Sequence, residues 1–162
     1  MMKRSNNCKF KRVIYTVLSI LIVALIFAQS LKSGDASSND SGHLVAILNN
    51  LASLFGFGEP FTDSIVRTCA HFTEFFVLSV SLMLMYRAYY CKLLRNSTLS
   101  VVTASVVAVC DETLQLFSEG RAFEITDIFI DICGAVSSVI IIALLILLSE
   151  RKKRTNSNCS EG

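Results

Sequence analysis

Four apolar blocks, each about 17 to 24 residues long, divide this chain and decide what it can fold into. They run from Val13 to Gln29, from about Ile65 to Tyr86, from Leu99 to Phe117 and from Ile125 to Leu148. At the rise of an α-helix each block is long enough to cross the hydrocarbon of a bilayer. Charged residues make up only 17% of the 162 positions against 52% apolar, which excludes an ordinary soluble domain. Four spans take up about 80 residues and leave too little chain for a separate globular domain of about 100. The expected fold is an all-α membrane protein, four transmembrane helices with a short interfacial helix in the first outer loop. Its domains are a basic N-terminus over 1–12, a single membrane domain over 13–148 and a tail over 149–162.

The basic residues fix the expected orientation. Five precede the first span, Arg87, Lys92 and Arg95 lie between the second and third, and Arg151 to Arg154 follow the last, which makes twelve. The other side receives only Lys32, Arg67 and Arg121. The positive-inside rule therefore puts both termini in the cytoplasm and the loop over 32–64 outside, in a multi-pass protein of a plasma membrane. Ala28-Gln29-Ser30 faintly imitates a signal-peptide cleavage site, but the apolar run before it is too long for a signal core, so an uncleaved anchor is expected. A net charge of +2 gives no argument for a nucleic-acid partner. The six cysteines form no Cys-x-x-Cys pair and predict no disulfide framework.

Within the outer segment, Lys32 to Gly42 is rich in turn formers and reads as loop. Leu44, Ile47, Leu48, Leu51, Leu54 and Phe55 then recur at helical spacing behind candidate caps at Asp40 and Ser41, and Gly56, Gly58 and Pro60 stop the run. This is the expected interfacial helix. The tail from Thr155 to Gly162 reads as disordered.

Ionisable residues inside three spans carry the functional argument, because each costs about 2.5 to 3.5 kcal/mol at the centre of a membrane helix. They are His71, Glu74, Asp111, Glu112, Asp127 and Asp131. With alternating helix directions, Glu74, Asp111 and Asp131 each fall about 9 to 13 Å below the outer end of their span. Acids that reach one depth from three helices are expected to face one another around an outward-opening cavity. Helical spacing agrees: Arg67, His71, Glu74 and Ser81 form one stripe, Ala104, Ala108, Asp111 and Gln115 a second, and Asp127, Asp131, Gly134 and Ser138 a third. Three roles fit such a network. Polar residues can simply bond helices together. They can form a ligand site, with His71, Glu74, Asp111, Glu112, Gln115, Arg121, Asp127 and Asp131 as its candidates. Or His71, Glu74 and Asp131 (or Asp111) can ligate a metal and leave a position for water. No cofactor follows from the sequence.

The motifs resemble those of the VanZ-like family of small bacterial membrane proteins, over about residues 14 to 146. Three blocks carry the resemblance: Phe27-Ala-Gln-Ser-Leu-Lys-Ser-Gly-Asp, Arg67-Thr-Cys-Ala-His-Phe-Thr-Glu-Phe, and Asp111-Glu-Thr-Leu-Gln-Leu-Phe-Ser-Glu-Gly-Arg leading to Asp127 and Asp131-Ile-Cys-Gly-Ala. By resemblance, His71 and Glu74 match the family's His-x-x-Glu, Asp111, Glu112 and Gln115 its Asp-Glu-x-x-Gln, and Arg121 its Gly-Arg. Thr68, Phe75, Glu119 and Ser138 depart from the residues common at those positions. The family takes its name from a teicoplanin-resistance protein, so the resemblance implies a cell-envelope role and, more finely, resistance to a glycopeptide antibiotic. The partner implied is a membrane lipid, a lipid-linked precursor or a lipoglycopeptide recognised by the outer cavity. The alternative is a membrane-embedded hydrolase or transferase acting on a lipid-linked cell-wall precursor, with Glu74 or Asp111 as general base and Arg121 holding a phosphate.

Overall fold

A computed structural model describes residues 2–58 and 60–159, with side-chain surroundings for 9–58 and 60–152. Met1 and the last three residues of the expected tail lie outside the described residues. The described chain is helical throughout, in the order α1 (Met2–Ser30), α2 (Gly34–Leu54), α3 (Asp63–Tyr89), α4 (Leu93–Gln115) and α5 (Ile125–Cys159). Four of these are long and apolar enough to cross a membrane, over Lys9–Ser30, Asp63–Tyr89, Leu93–Gln115 and Ile125–Lys152.

α3 is the axis of the bundle and packs against α1, α4, α5 and α2. Phe75, Leu78 and Leu82 of α3 meet Ile26, Ala104, Ala108 and Ala135 in one buried cluster. The small residues allow this, because an alanine or glycine lets two backbones approach where lipid offers no hydrophobic drive to hold helices together. Gly134 is the extreme case: a Cβ there would run into the carbonyl of Phe72, so α3 and α5 touch backbone to backbone. The lower stripe residues are buried as their spacing predicts, Ser81, Ala104, Ala108, Gly134 and Ser138 among them. Hydroxyl pairs add bonds across the helices, Ser19 with Ser81 and Tyr86 with Thr103, each at 2.8 Å. At the end away from α2, the Arg12 guanidinium donates to the Ala88 carbonyl at 2.8 Å.

Three boundaries differ from the sequence reading, each for a local reason. α4 starts at Leu93 rather than Leu99, because buried Asn96 reaches back to donate to the Tyr90 carbonyl at 3.1 Å and ties the turn before the helix. α5 continues through Cys159, so the segment from Thr155 that reads as disordered is helical as far as that residue. The largest difference is α2, which begins at Gly34 and takes in the whole stretch that reads as loop.

Ser33, and neither Asp40 nor Ser41, caps α2, accepting from the Ala36 amide at 3.4 Å. Long-range bonds hold the weak helix formers in place. The Gly34 amide donates to the Glu119 carbonyl at 2.8 Å, Ser41 bonds to Asp63, and Asn49 clamps the backbone of Phe61 through both its amide atoms at 3.0 Å. Gly34 is required at its position, since a Cβ would stand 2.6 Å from the Gly120 carbonyl oxygen. Gly120 itself turns the α4–α5 loop with a φ of +76°, a conformation natural only to glycine. α2 buries no residue fully and leaves Leu44, Ile47, Leu51 and Leu54 exposed along its length, as an interfacial helix would.

Candidate functional site

The polar side chains gather at the end of the bundle that carries α2 and the α4–α5 loop. His71 lies between two carboxylates of α5, with Nδ1 at 3.2 Å from Asp131 Oδ1 and Nε2 at 3.7 Å from Asp127 Oδ2. The ring is thus fixed from both sides by one neighbouring helix. Asp111 is buried on α4 and accepts from the Ser30 hydroxyl and, at 3.3 Å, from the Gln115 amide. Gln115 also donates to Glu112 at 2.9 Å, and the second oxygen of Glu112 accepts from the Glu124 amide at 3.0 Å. The Ser118 hydroxyl donates to the Ser30 carbonyl at 2.8 Å and closes the ring of bonds between α1 and the end of α4.

These residues divide into a frame and a mouth. Glu112, Gln115 and Asp131 are buried within the frame. His71, Glu74, Asp111 and Arg121 line a cavity of about 210 Å³, together with Arg67 and with Gln29 and Ser30 at the end of α1. Its remaining wall is α2, through Ser37, Asp40, Ser41 and Leu44. Asp127 lines a separate recess of about 320 Å³ on the other side of His71, shared with Arg67 and Glu124. The single pool of acids drawn from the sequence is therefore two openings that adjoin at His71 and Arg67.

Several parts of the cavity wall carry no site assignment from the sequence. Arg67 is visible there as the first residue of the α3 stripe, but nothing in the pattern distinguishes it as a binding group beside Arg121. The α2 wall was hidden because Gly34 and Gly42 made its sequence look like loop. The spacing of Ser37, Ser41 and Leu44 at i, i+4 and i+7 is the signal that could have found it. Gln29 sits where α1 ends, in line with the cavity rim.

Two sets of three side chains bring their ligand atoms within 4.8 Å of one another, His71 with Asp111 and Asp131, and His71 with Glu112 and Asp127. Both draw on His71, and Glu74, named with it from the sequence, belongs to neither. A mixed nitrogen and carboxylate set of this kind suits zinc or another divalent ion.

Outside the spans, the charges show two opposite environments. Asp40 donates nothing and accepts from Lys32 at 2.8 Å, and that hydrogen bond and charge hold its carboxyl below the usual range. The tie therefore persists at neutral and mildly acidic pH and is lost only as pH falls through the lowered value. Burial pushes the Arg121 guanidinium below the ordinary arginine range and the charge of nearby Arg67 pushes the same way, while Asp111, Glu112 and Glu74 oppose the shift.

The chain matches the VanZ/LLP1 family over residues 15–147. It belongs to that family. The matched segment takes in α2, α3 and α4 whole, most of the membrane-length stretches of α1 and α5, and every residue of the cavity, so this VanZ-family protein carries its polar constellation inside the family domain. Comparison with curated proteins and with solved structures gives no match. With four membrane-length helices and this family assignment, the chain is a VanZ-like membrane protein.

Proposed function

We propose that this VanZ-family protein serves the bacterial cell envelope by recognising an amphiphile through the cavity at the α2 end, which opens to the outer face of the plasma membrane. The observation that supports the reading is a half-enclosed, charged cavity at the end of the bundle where α1 ends, α3 begins and the α4–α5 loop turns, with α2 across it. Packing alone does not call for two arginines beside Glu74 and Asp111 at that depth. A lipoglycopeptide of the teicoplanin type, which anchors in the outer leaflet, and the lipid-linked wall precursors found there are the amphiphiles that an opening on that side would meet.

The orientation rests on the division of basic residues, twelve to three. In a Cys-free background, a cysteine at position 40 should react with an impermeant maleimide from outside intact cells. Reaction only after the cytoplasmic face is opened would reverse the topology and remove the cavity from the outer surface.

Catalysis by this site would run through Glu74. Both oxygens of Asp111 already accept hydrogen bonds, whereas Glu74 lines the cavity with no hydrogen bond of its own among the described residues. Glu74→Gln keeps the shape and the hydrogen bonding and removes the base. Under the recognition reading, the variant should weaken but not abolish the envelope phenotype of a strain that depends on this protein, because Arg67 and Arg121 still line the cavity. Complete loss at normal membrane abundance would favour a hydrolase or transferase instead. Susceptibility to teicoplanin and to vancomycin, measured side by side, is the readout.

A further inference from the structure

We propose that the amphiphile is a phospholipid-type molecule with a zwitterionic head, its phosphate held between Arg67 and Arg121, its ammonium at Glu74, and its acyl chain leaving sideways through an apolar groove between α1 and α3. This assignment rests on the reading of the cavity as a recognition site. It follows from which polar groups have partners and which do not. Asp111, Asp40, Ser30, Ser41 and His71 are all bonded within the protein. Among the described residues, neither Arg67 nor Arg121 has an ion pair within 4.0 Å, their side chains make no hydrogen bond, and the Glu74 carboxylate likewise has neither. The Nε of Arg121 is buried without any acceptor among the described residues. An unmet guanidinium beside hydrocarbon is costly, and a phosphate supplies the paired oxygens that its planar fork takes best.

Charge complementarity then restricts the head. A purely cationic head would meet two arginines, and a purely anionic one would meet Glu74. A phosphate a few bonds from a primary ammonium satisfies all three groups.

The chain has its own place. A groove of about 570 Å³ lies between α1 and α3, walled by Ile22, Leu25, Ile26 and Val77, within the range of about 300 to 1,000 Å³ typical of ligand pockets. Leu25 is 67% and Val77 47% exposed, so the groove is open along the flank that faces lipid. Gln29 and Glu74 line both the groove and the charged cavity, so the two spaces adjoin at Glu74. An outer-leaflet lipid can therefore enter from the side, with its chain never leaving an apolar medium.

The test is equilibrium binding of radiolabelled palmitoyl lysophosphatidylethanolamine to the full chain in nanodiscs, with palmitoyl lysophosphatidic acid and chainless phosphoethanolamine as companions. Arg67→Gln and Arg121→Gln should each weaken binding of both lipids about tenfold or more. Glu74→Gln should weaken the ethanolamine lipid alone, because only that head carries an ammonium. Val77→Trp, on an exposed groove wall, should weaken both lipids while the unfolding temperature stays unchanged, which separates blockage from misfolding. Phosphoethanolamine should bind far more weakly than its lipid. Equal binding by the arginine variants, by the groove variant or by the chainless head overturns the proposal. The assay needs no cellular phenotype. If the lipid binds as described but cavity variants act as wild type in cells, only the functional reading falls. If no lipid binds and Asp111→Ala still destroys the phenotype, only this proposal falls.

Discussion

Asp111→Ala should abolish function at unchanged membrane abundance, whereas removal of residues 155–162 should leave it intact. Asp111 is where three elements meet: it accepts from Ser30 at the end of α1 and from Gln115 one turn along α4, and it forms part of the cavity wall that α2 covers. Its loss leaves a buried hydroxyl and a buried amide short of an acceptor, at about 1 to 3 kcal/mol each. Ser30 also carries the bond from Ser118, so the junction of α1 with the α4–α5 loop loosens as a unit. The tail lies beyond the matched family segment and beyond the last membrane-length stretch, which ends at Lys152. Complementation of a deletion strain, scored by whichever envelope phenotype the deletion shows, provides the comparison. Wild-type behaviour of Asp111→Ala and Glu74→Ala together with failure of the truncation would move the functional site to the cytoplasmic end.

Gly134→Val should be the most damaging substitution outside the polar site. A single Cβ at this position already overlaps the Phe72 carbonyl, and the colliding atoms are backbone, which cannot swing aside. α3 and α5 have to part, at about 1 to 3 kcal/mol for overpacking of this kind. Separation also draws Asp131 away from His71, since Asp131 stands one turn before Gly134 on the same face of α5 and Phe72 follows His71 on α3. Thermal unfolding in detergent should show the loss. Gly42→Ala is the matched control: nothing lies within 4 Å of its added carbon, and in the middle of α2 alanine should be neutral or stabilising by up to about 1 kcal/mol.

How much of this was legible beforehand depends on the range of the forces involved. The four long helices and the all-helical class follow from apolar run length, which acts locally and in every context. Helical rise sets Glu74, Asp111 and Asp131 at one depth, because membrane helices of alternating direction leave little freedom there, but the position of His71 between Asp127 and Asp131 depends on how α3 and α5 face each other. α2 was not legible as far back as Gly34. Ser33-Gly34-Asp35 has weak helix propensity, and what holds it is a carbonyl at Glu119, some 85 residues away, which no local pattern reveals. The split between frame and mouth was hidden for a related reason. Glu112 and Asp111 are adjacent in sequence and both buried, yet one turns to the Glu124 amide and the other to Ser30, a difference set by loop geometry rather than residue type.

The way the cavity is closed also sets the order in which it is made. Ser30 meets Asp111 across 81 residues and Ser118 across 88. At synthesis rates of about 5 to 20 residues per second, Asp111 follows Ser30 out of the ribosome by roughly 4 to 16 seconds. In the last part of that interval, after Tyr89, α1 and α3 are both made while Arg67, His71 and Glu74 wait for the neighbours that α4, the α4–α5 loop and α5 will bring. The polar site is thus completed only when the α4–α5 loop and the start of α5 have been made. A nascent chain halted before residue 111 carries uncompensated charge within the membrane, a feature that distinguishes an unfinished copy from a complete one before any ligand is met.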